Sequence, residues 1–396
     1  MIPGNRRPSV RWSTFLKDVF LGFIGSYGGP EAHYGVFSSI LVEKKKYLTE
    51  QELTEMIGLY ALVPGPSSTQ TITAIGYHAG GPILALLTFL VWALPAIITM
   101  ALIGVFFTRI DSNDGWKPVL RYLPAAAVAF ILYAAIVLTR KVIKGSRDLI
   151  LYLVMLALAL ALVGYSMWVV PGLLVLGGLV TLAPHWRDKH TNGAAHKPRW
   201  LILAFAAGLA LLNEGLRAWL AAPFVTLYTS FYRYGYSVIG GGQIVIPLMI
   251  QDLVQAQSMI SLHDFLSGYA IDQAIPGPLF SFAAFVSARS FAGSGLSFLA
   301  GIIGGFSIFL PGTLLVFFMF PLWRSMRRNT LVQYFLKGVT VTAASLITMT
   351  AVTQSIALPV NFAVYGVAAA GTLLLRSGKV PAPLIVVAAA ALGFLA

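Results

Sequence analysis

The segment Val63-Pro64-Gly65-Pro66 recurs 212 residues later as Ile275-Pro276-Gly277-Pro278, each time closing a half-length apolar stretch. Sliding one stretch onto the other without a gap superposes Gly28-Gly29 on Gly240-Gly241, Leu41-Val42 on Leu253-Val254 and Glu52 on Asp264. After a four-residue insertion, Ala93-Leu94-Pro95-Ala96 meets Phe309-Leu310-Pro311-Gly312. Two copies of one unit are therefore expected, each interrupted twice by helix breakers. A helix broken inside a bilayer frees backbone groups that lipid cannot satisfy, so they must be buried in protein or face a solute. Repeats with broken helices are how many secondary transporters build a mid-membrane site.

Composition supports the bilayer as solvent. Charged residues are 10% of the chain, against about a quarter in a soluble domain. Ile83 to Phe107 carries no charge over 25 residues, enough to span the roughly 20-residue hydrocarbon core. Basic Arg6, Arg7 and Arg11 lead straight into the first copy, with no cleavable signal pattern. The absence of cysteine excludes thiol reductase chemistry, disulfides and Cys-ligated metal. The net charge of +13 lies in short loops between apolar segments, which fits topology rather than nucleic acid binding. No P-loop, H-E-x-x-H or dinucleotide motif is present, so no cofactor is expected, no enzyme activity, and transport should run on gradients.

The expected fold is an all-α integral membrane protein of two inverted repeats, its helices broken at the GGP/GGG and PGP motifs. The first repeat is placed at 1–110, connecting helices and a basic loop (His185 to Arg199) at 111–217, the second repeat at 218–328, and C-terminal helices at 329–396. With each broken segment returning to its own side and the N-terminus cytoplasmic, only Arg109, Lys117, Arg121, Arg217, Arg233 and Arg289 of 27 Lys and Arg fall outside. Lys44-Lys45-Lys46 aligns with Ala256-Gln257-Ser258, whereas Arg324, Arg327 and Arg328 follow only the second copy. The basic bias flips between copies, as inversion requires.

Pro66, Pro278 and Pro30 stand where Pro opens a helix, after Gly65, Gly277 and Gly28-Gly29. Free N–H groups at such starts, with the positive end of the helix dipole, can hold an anion. The candidate substrate-binding set is Gly28, Gly29, Pro64, Gly65, Pro66, Ser67, Ser68, Thr69, Gln70, Arg233, Gly240, Gly241, Gln243, Gln273, Pro276 and Gly277. Ser67, Ser68 and Thr69 also suit a helix cap, so both roles stay open. Gln70, Gln243 and Gln273 equally suit interhelical hydrogen bonds. Arg233, seven residues before Gly240, either reaches the break or snorkels to the surface. Glu31, His33 and Asp272 are the proton-coupling candidates, because buried ionisable groups in membrane helices mark proton paths. Glu31 in a first turn also serves as a dipole cap.

In GSYGGPEAH (Gly25 to His33), ALVPGPSSTQ (Ala61 to Gln70) and ALPA (Ala93 to Ala96) the first copy resembles the chromate ion transporter family in its long, two-domain form. GGGQIVIP (Gly240 to Pro247), DQAIPGPLF (Asp272 to Phe280) and FLPG (Phe309 to Gly312) carry the resemblance in the second copy. It implies a multi-pass carrier in the bacterial inner membrane that exports chromate, a dianionic analogue of sulfate. Its motif positions fall on Gly28, Gly29, Pro30, His33, Pro64, Gly65, Pro66, Gln70, Gly240, Gly241, Gly242, Gln273, Pro276, Gly277 and Pro278. The family pattern has Gln where Ala61 stands, Phe at Tyr27 and Trp at Tyr47; Gln273 keeps the Gln in the second copy. The expected partners are a small inorganic oxyanion and the lipid bilayer, with a homodimer admitted. Sulfate or another anion, or a channel of the same fold, is the alternative.

Overall fold

The computed structural model describes residues 10–27, 29–60, 63–162, 169–185, 200–220, 222–238, 245–320 and 330–395, and every regular element among them is a helix. The first copy starts with α1 (Trp12–Ile24), too short at about 20 Å to cross a bilayer. Helix α2 (Pro30–Phe37) runs on into a π-helical turn, Ser38–Lys44. This limb doubles back along α1. Phe15 stacks edge-on against Tyr47 at 5.1 Å, Asp18 pairs with Lys45 at 3.0 Å, and a Cβ at Gly22 would touch Val36 and Ile40. The segment is thus a re-entrant hairpin that turns between α1 and α2, with Gly29 at the start of the returning limb.

A second hairpin follows at once. Helix α3 (Glu50–Tyr60) descends to Pro64-Gly65-Pro66, and the first limb of α4 (Ser67–Asp111) returns, bringing His78 within 3.9 Å of Glu52. Helix α4 then reverses at Gly80 and Gly81. Gly81 takes φ +83°, a value that favours glycine. Its second limb, 82–111, is the first full crossing.

The second copy repeats this plan. Its elements are α9 (Pro223–Ser237), α10 (Val245–Met249) with a π turn at Ile250–Ala256, α11 (Leu262–Ala274), α12 (Phe282–Ser290) and α13 (Ser297–Met319). The backbone keeps the repeat closely. Both π turns are seven residues long, starting at Ser38 and at its equivalent, Ile250. Positive φ recurs at Lys46 (53°) and Ser258 (50°), Gly65 (125°) and Gly277 (117°), and Gly81 (83°) and Gly293 (83°). The four-residue insertion falls in the turn between α12 and α13.

Inversion follows from how equivalent helices meet. Limb 82–111 and α13 occupy the same place in their copies, and they pack side by side. Ala101 faces Gly301, Ile97 faces Gly305 and Phe89 meets Phe309 at 5.9 Å. One number falls as the other rises, so the helices are antiparallel. Two copies whose equivalent helices run in opposite directions are related by an axis across those helices, as in inverted-repeat transporters.

An outer bundle surrounds this centre: α5 (Leu123–Val142), α6 (Ser146–Leu162), α7 (Val169–Leu182), α14 (Thr330–Ala357), α15 (Phe362–Ser377) and α16 (Ala382–Leu395). It shows the same exchange. Ser345 of α14 donates to the Tyr152 carbonyl of α6 at 2.9 Å, while Thr372 of α15 donates to the Ala129 carbonyl of α5 at 3.4 Å. Gly177 and Gly178 let α7 close onto Gly338 and Phe335 of α14, the close approach that small residues allow between membrane helices.

Helix α8 (Trp200–Trp219) lies between the copies. One face grips α9, with Asn213 donating to the Thr229 carbonyl at 3.0 Å and Tyr236 donating to Glu214 at 2.7 Å. The other carries exposed Leu201, Phe205 and Leu211, as a lipid-facing surface does. Among the described residues, α4, 117–142, α8, α13 and 333–357 are long and apolar enough to span a membrane. Limb 82–111 and α5 cross and recross, and α6 and α7 return as a pair, so the first copy ends on the side where it began. The single crossing by α8 turns the second copy over.

Candidate functional site

The hairpin tips of one copy are tied to those of the other. The Gly65 N–H donates to the Val238 carbonyl at 2.8 Å, and the Gly277 N–H donates to the Ser26 carbonyl at 2.8 Å. These are one bond made twice, with donor and acceptor exchanging copies, as a two-fold contact requires. Both PGP turns therefore meet the first hairpin of the opposite copy, where backbone must find partners within protein. A Cβ on Gly65 would stand 2.9 Å from the Gly312 Cα, so the turn seats directly on the backbone of α13. A Cβ on Gly277 would meet Phe23 and Ala96 instead.

On the first-copy side the turn opens α4 with a run of buried polar groups: Ser67, Ser68, Thr69 and Gln70. His33 Nδ1 lies 3.0 Å from Ser68 Oγ, and Tyr34 donates to Ser67 Oγ at 3.1 Å. Gln70 Nε2 donates to the Pro64 carbonyl at 2.8 Å and to the Gly312 carbonyl at 3.2 Å, so this side chain joins its own turn to the other copy. His33 Nε2, Thr69 Oγ1 and Gln70 Oε1 are buried with no hydrogen-bond partner among the described residues. When Ser68 donates to Nδ1, the ring proton of neutral His33 sits on Nε2, which is then a donor aimed away from Ser68. Trp92 packs edge-on against His33 at 5.3 Å and against Phe37 at 5.1 Å, walling this cluster with apolar surface.

On the second-copy side the equivalents of Ser67 and Ser68 are Leu279 and Phe280, both buried. Asp272 Oδ1 accepts from Ser281 Oγ at 2.7 Å. Asp272 Oδ2 and Gln273 Nε2 have no partner among the described residues. Pro276 and Gly277 hold the turn, and Pro278 leads into a short 3-10 turn, Leu279–Ser281, ahead of α12.

Arg233 stands on α9. Its Nη2 lies 2.8 Å from Asp252, which also accepts from Tyr234 and Gln257 and lies 3.8 Å from Arg217 of α8. All of Asp252 is buried, so the guanidinium balances an interior carboxylate rather than snorkelling. Glycines 28, 240, 241 and 242, with Gln243 and Ala61, lie outside the described residues, as do the side chains of Pro30 and Glu31. Gly29 is described, with φ +95° at the start of α2.

Sequence reasoning missed Tyr34, Trp92 and Asp252. Asp252 left a signal, an acid inside an apolar run where the first copy has Ile40. Trp92 stands just before ALPA and looks from sequence like any lipid-facing aromatic. Taken together, the tips offer hydroxyl, imidazole and backbone N–H donors in an apolar wall, a set suited to a small anion and not to covalent chemistry. Among the described residues no group of three His, Asp or Glu could hold a metal ion.

Comparison with known proteins bears on this arrangement. The family model described as chromate transporter matches twice, over residues 12–183 and 225–394. Each match runs past the re-entrant hairpins through the three helices that follow, so α5 to α7 and α14 to α16 belong to the duplication. A probable chromate transport protein of Synechococcus elongatus is 28% identical over 385 residues, covering 96% of this chain and 93% of that protein. The chromate transport protein of Cupriavidus metallidurans is 26% identical over 392 residues, covering 96% and 91%. An uncharacterized transporter of Methanocaldococcus jannaschii is 23% identical over 354 residues, covering 88% and 85%. No solved structure matches the chain. The chain is a membrane transport protein and not an enzyme, and it belongs to the chromate transporter family.

Proposed function

We propose that this chain is a secondary active carrier that exports chromate, or a related tetrahedral oxyanion, across the bacterial inner membrane. The observation that carries the reading is the buried, partly unpartnered donor cluster of Ser68, Thr69 and His33 at the turn where the two inverted copies are cross-linked. A tetrahedral dianion seated there accepts from hydroxyls, imidazole and the free N–H groups at the start of α4, without a buried lysine. The units 1–110 and 218–328 form the carrier's centre, and the helices of 111–217 and 329–396 frame them. Alternating exposure comes from rocking one copy against the other about the crossed tips.

Orientation follows the positive-inside rule, with the N-terminus cytoplasmic. Glu31, His33 and Asp272 are the groups through which a proton gradient couples, and a homodimer is the proposed assembly. Sulfate fits the same donors, so a sulfate permease is the second reading, and Ala61, where the family pattern has Gln, is the departure that leaves the oxyanion open.

The test is chromate uptake into inside-out vesicles, with excess sulfate and an imposed ΔpH as variables. Saturable uptake suppressed by sulfate is expected. Uptake no greater than in empty vesicles, from folded protein, discards the substrate. Linear uptake without saturation favours a channel. Replacing Glu31 by Gln is expected to flatten the response to ΔpH; an unaltered response leaves Glu31 as a helix cap.

A further inference from the structure

The two helix starts that follow the PGP turns share a backbone and differ in what occupies them. At α12 a carboxylate is built in: Asp272, buried, takes the Ser281 hydroxyl at 2.7 Å. At α4 the equivalents of Asp272, Ser281 and Phe282 are Tyr60, Thr69 and Gln70, and no carboxylate is supplied. Thr69 Oγ1, equivalent to the hydroxyl that Asp272 binds, is buried and has no partner among the described residues. His33 Nε2 is buried beside the same turn, also without one. Val245 replaces His33 in the second copy, and Phe280 replaces Ser68. So one start has donors without an acceptor, and the other has an acceptor of its own.

We propose that the Asp272 carboxyl group occupies, in the second copy, the place the transported oxyanion takes in the first. This rests on the reading that the start of α4 binds the oxyanion. Carboxylates and oxyanions draw on the same donors, so a resident carboxylate closes a site to a mobile one. Asp272 thereby keeps the carrier at one oxyanion per chain although the backbone offers two equivalent places. The inverted copies are then used for two-sided access, and the substrate is held by one of them.

The experiment is equilibrium binding of radiolabelled chromate to the purified full-length protein. One chromate per chain is expected for the wild type. Asp272→Gly vacates the second place, and two per chain are expected, with formate returning the count to one by filling the space of the lost carboxylate. One chromate per Asp272→Gly chain with no effect of formate, while the wild type still binds one, overturns the inference and leaves Asp272 a helix cap. No binding by folded wild type overturns the reading of the first-copy site, and this inference with it. Because Asp272→Gly removes a buried acceptor and could fail to fold, a second variant transplants the charge. Tyr60→Asp is expected to bind chromate about tenfold or more weakly than Tyr60→Asn, through like-charge repulsion at the α4 start. Equal affinities of these two variants overturn it as well.

Discussion

The two PGP turns invite direct comparison because their backbones are so alike. Gly65 and Gly277 hold φ of 125° and 117°, and each donates its N–H across the interface over 2.8 Å. Around the first, Ser67, Ser68, Thr69, Gln70 and His33 form a polar cluster. Around the second stand Leu279, Phe280 and Phe282, with Asp272 turned onto Ser281 ahead of α12. Breaks, bulges and crossed bonds persist in both copies since they set the shape that lets the halves interlock. The side chains facing the joint differ, with polar groups crowding the first turn and apolar ones the second. Symmetry here belongs to the backbone and not to the side chains.

The most disruptive way to probe the difference is at the first hairpins. In the second copy Asp252 is wholly buried with Arg233, whereas in the first copy Asp18 is paired with Lys45, which is 42% exposed. Asp252→Ala leaves a buried guanidinium unbalanced and is expected to cost about 3–5 kcal/mol, read as a large fall in thermal unfolding temperature in detergent. A mild effect would mean that solvent reaches the Arg233 guanidinium.

Next come the turns. Gly65→Ala combines a φ that L residues avoid, about 1–3 kcal/mol, with a contact on the Gly312 backbone that no side-chain motion relieves. Gly277→Ala carries the same strain, but its neighbours are the side chains of Phe23 and Ala96. Transport and stability should both fall further for Gly65→Ala; the reverse order would show that the second turn bears the tighter joint. Smaller again is Gln70→Leu, which leaves the Pro64 and Gly312 carbonyls without their donor at about 1–3 kcal/mol. Transport by Ser68→Ala should show a raised KM at unchanged expression, and unchanged kinetics would remove Ser68 from the site. Lys45→Gln is expected to change stability by less than about 1 kcal/mol, as for other half-exposed ion pairs.

Much of the architecture is legible in the chain itself, and for a physical reason. Pro and Gly act locally, so the breaks at Pro64-Gly65-Pro66 and Pro276-Gly277-Pro278 mark the chain wherever they occur, and their fixed spacing exposes the repeat. The flip in basic residues around Lys44 and Arg324 carries the inversion that the antiparallel packing of 82–111 on α13 displays. Pairing across distance is not legible. His33 reaches Ser68 over 35 residues and Gln70 reaches Gly312 over 242, and nothing local to either end announces the other. Sequence alone leaves Arg233 between the break and the surface, because its partner Asp252 lies beyond the break, 19 residues on. The outer helices look like mere connectors for a related cause. Plain apolar runs such as 148–164 and 360–375 hold no punctuation by which one copy can be matched to the other.

Helix α8 falls outside both family matches, between residues 183 and 225. An even number of crossings would deliver both halves to the membrane facing the same way, and Gly65 could never find Val238. The helix therefore acts as a parity switch on the chain during insertion. Lose one crossing, and each half can still fold its hairpins, but the two no longer share an axis about which to close.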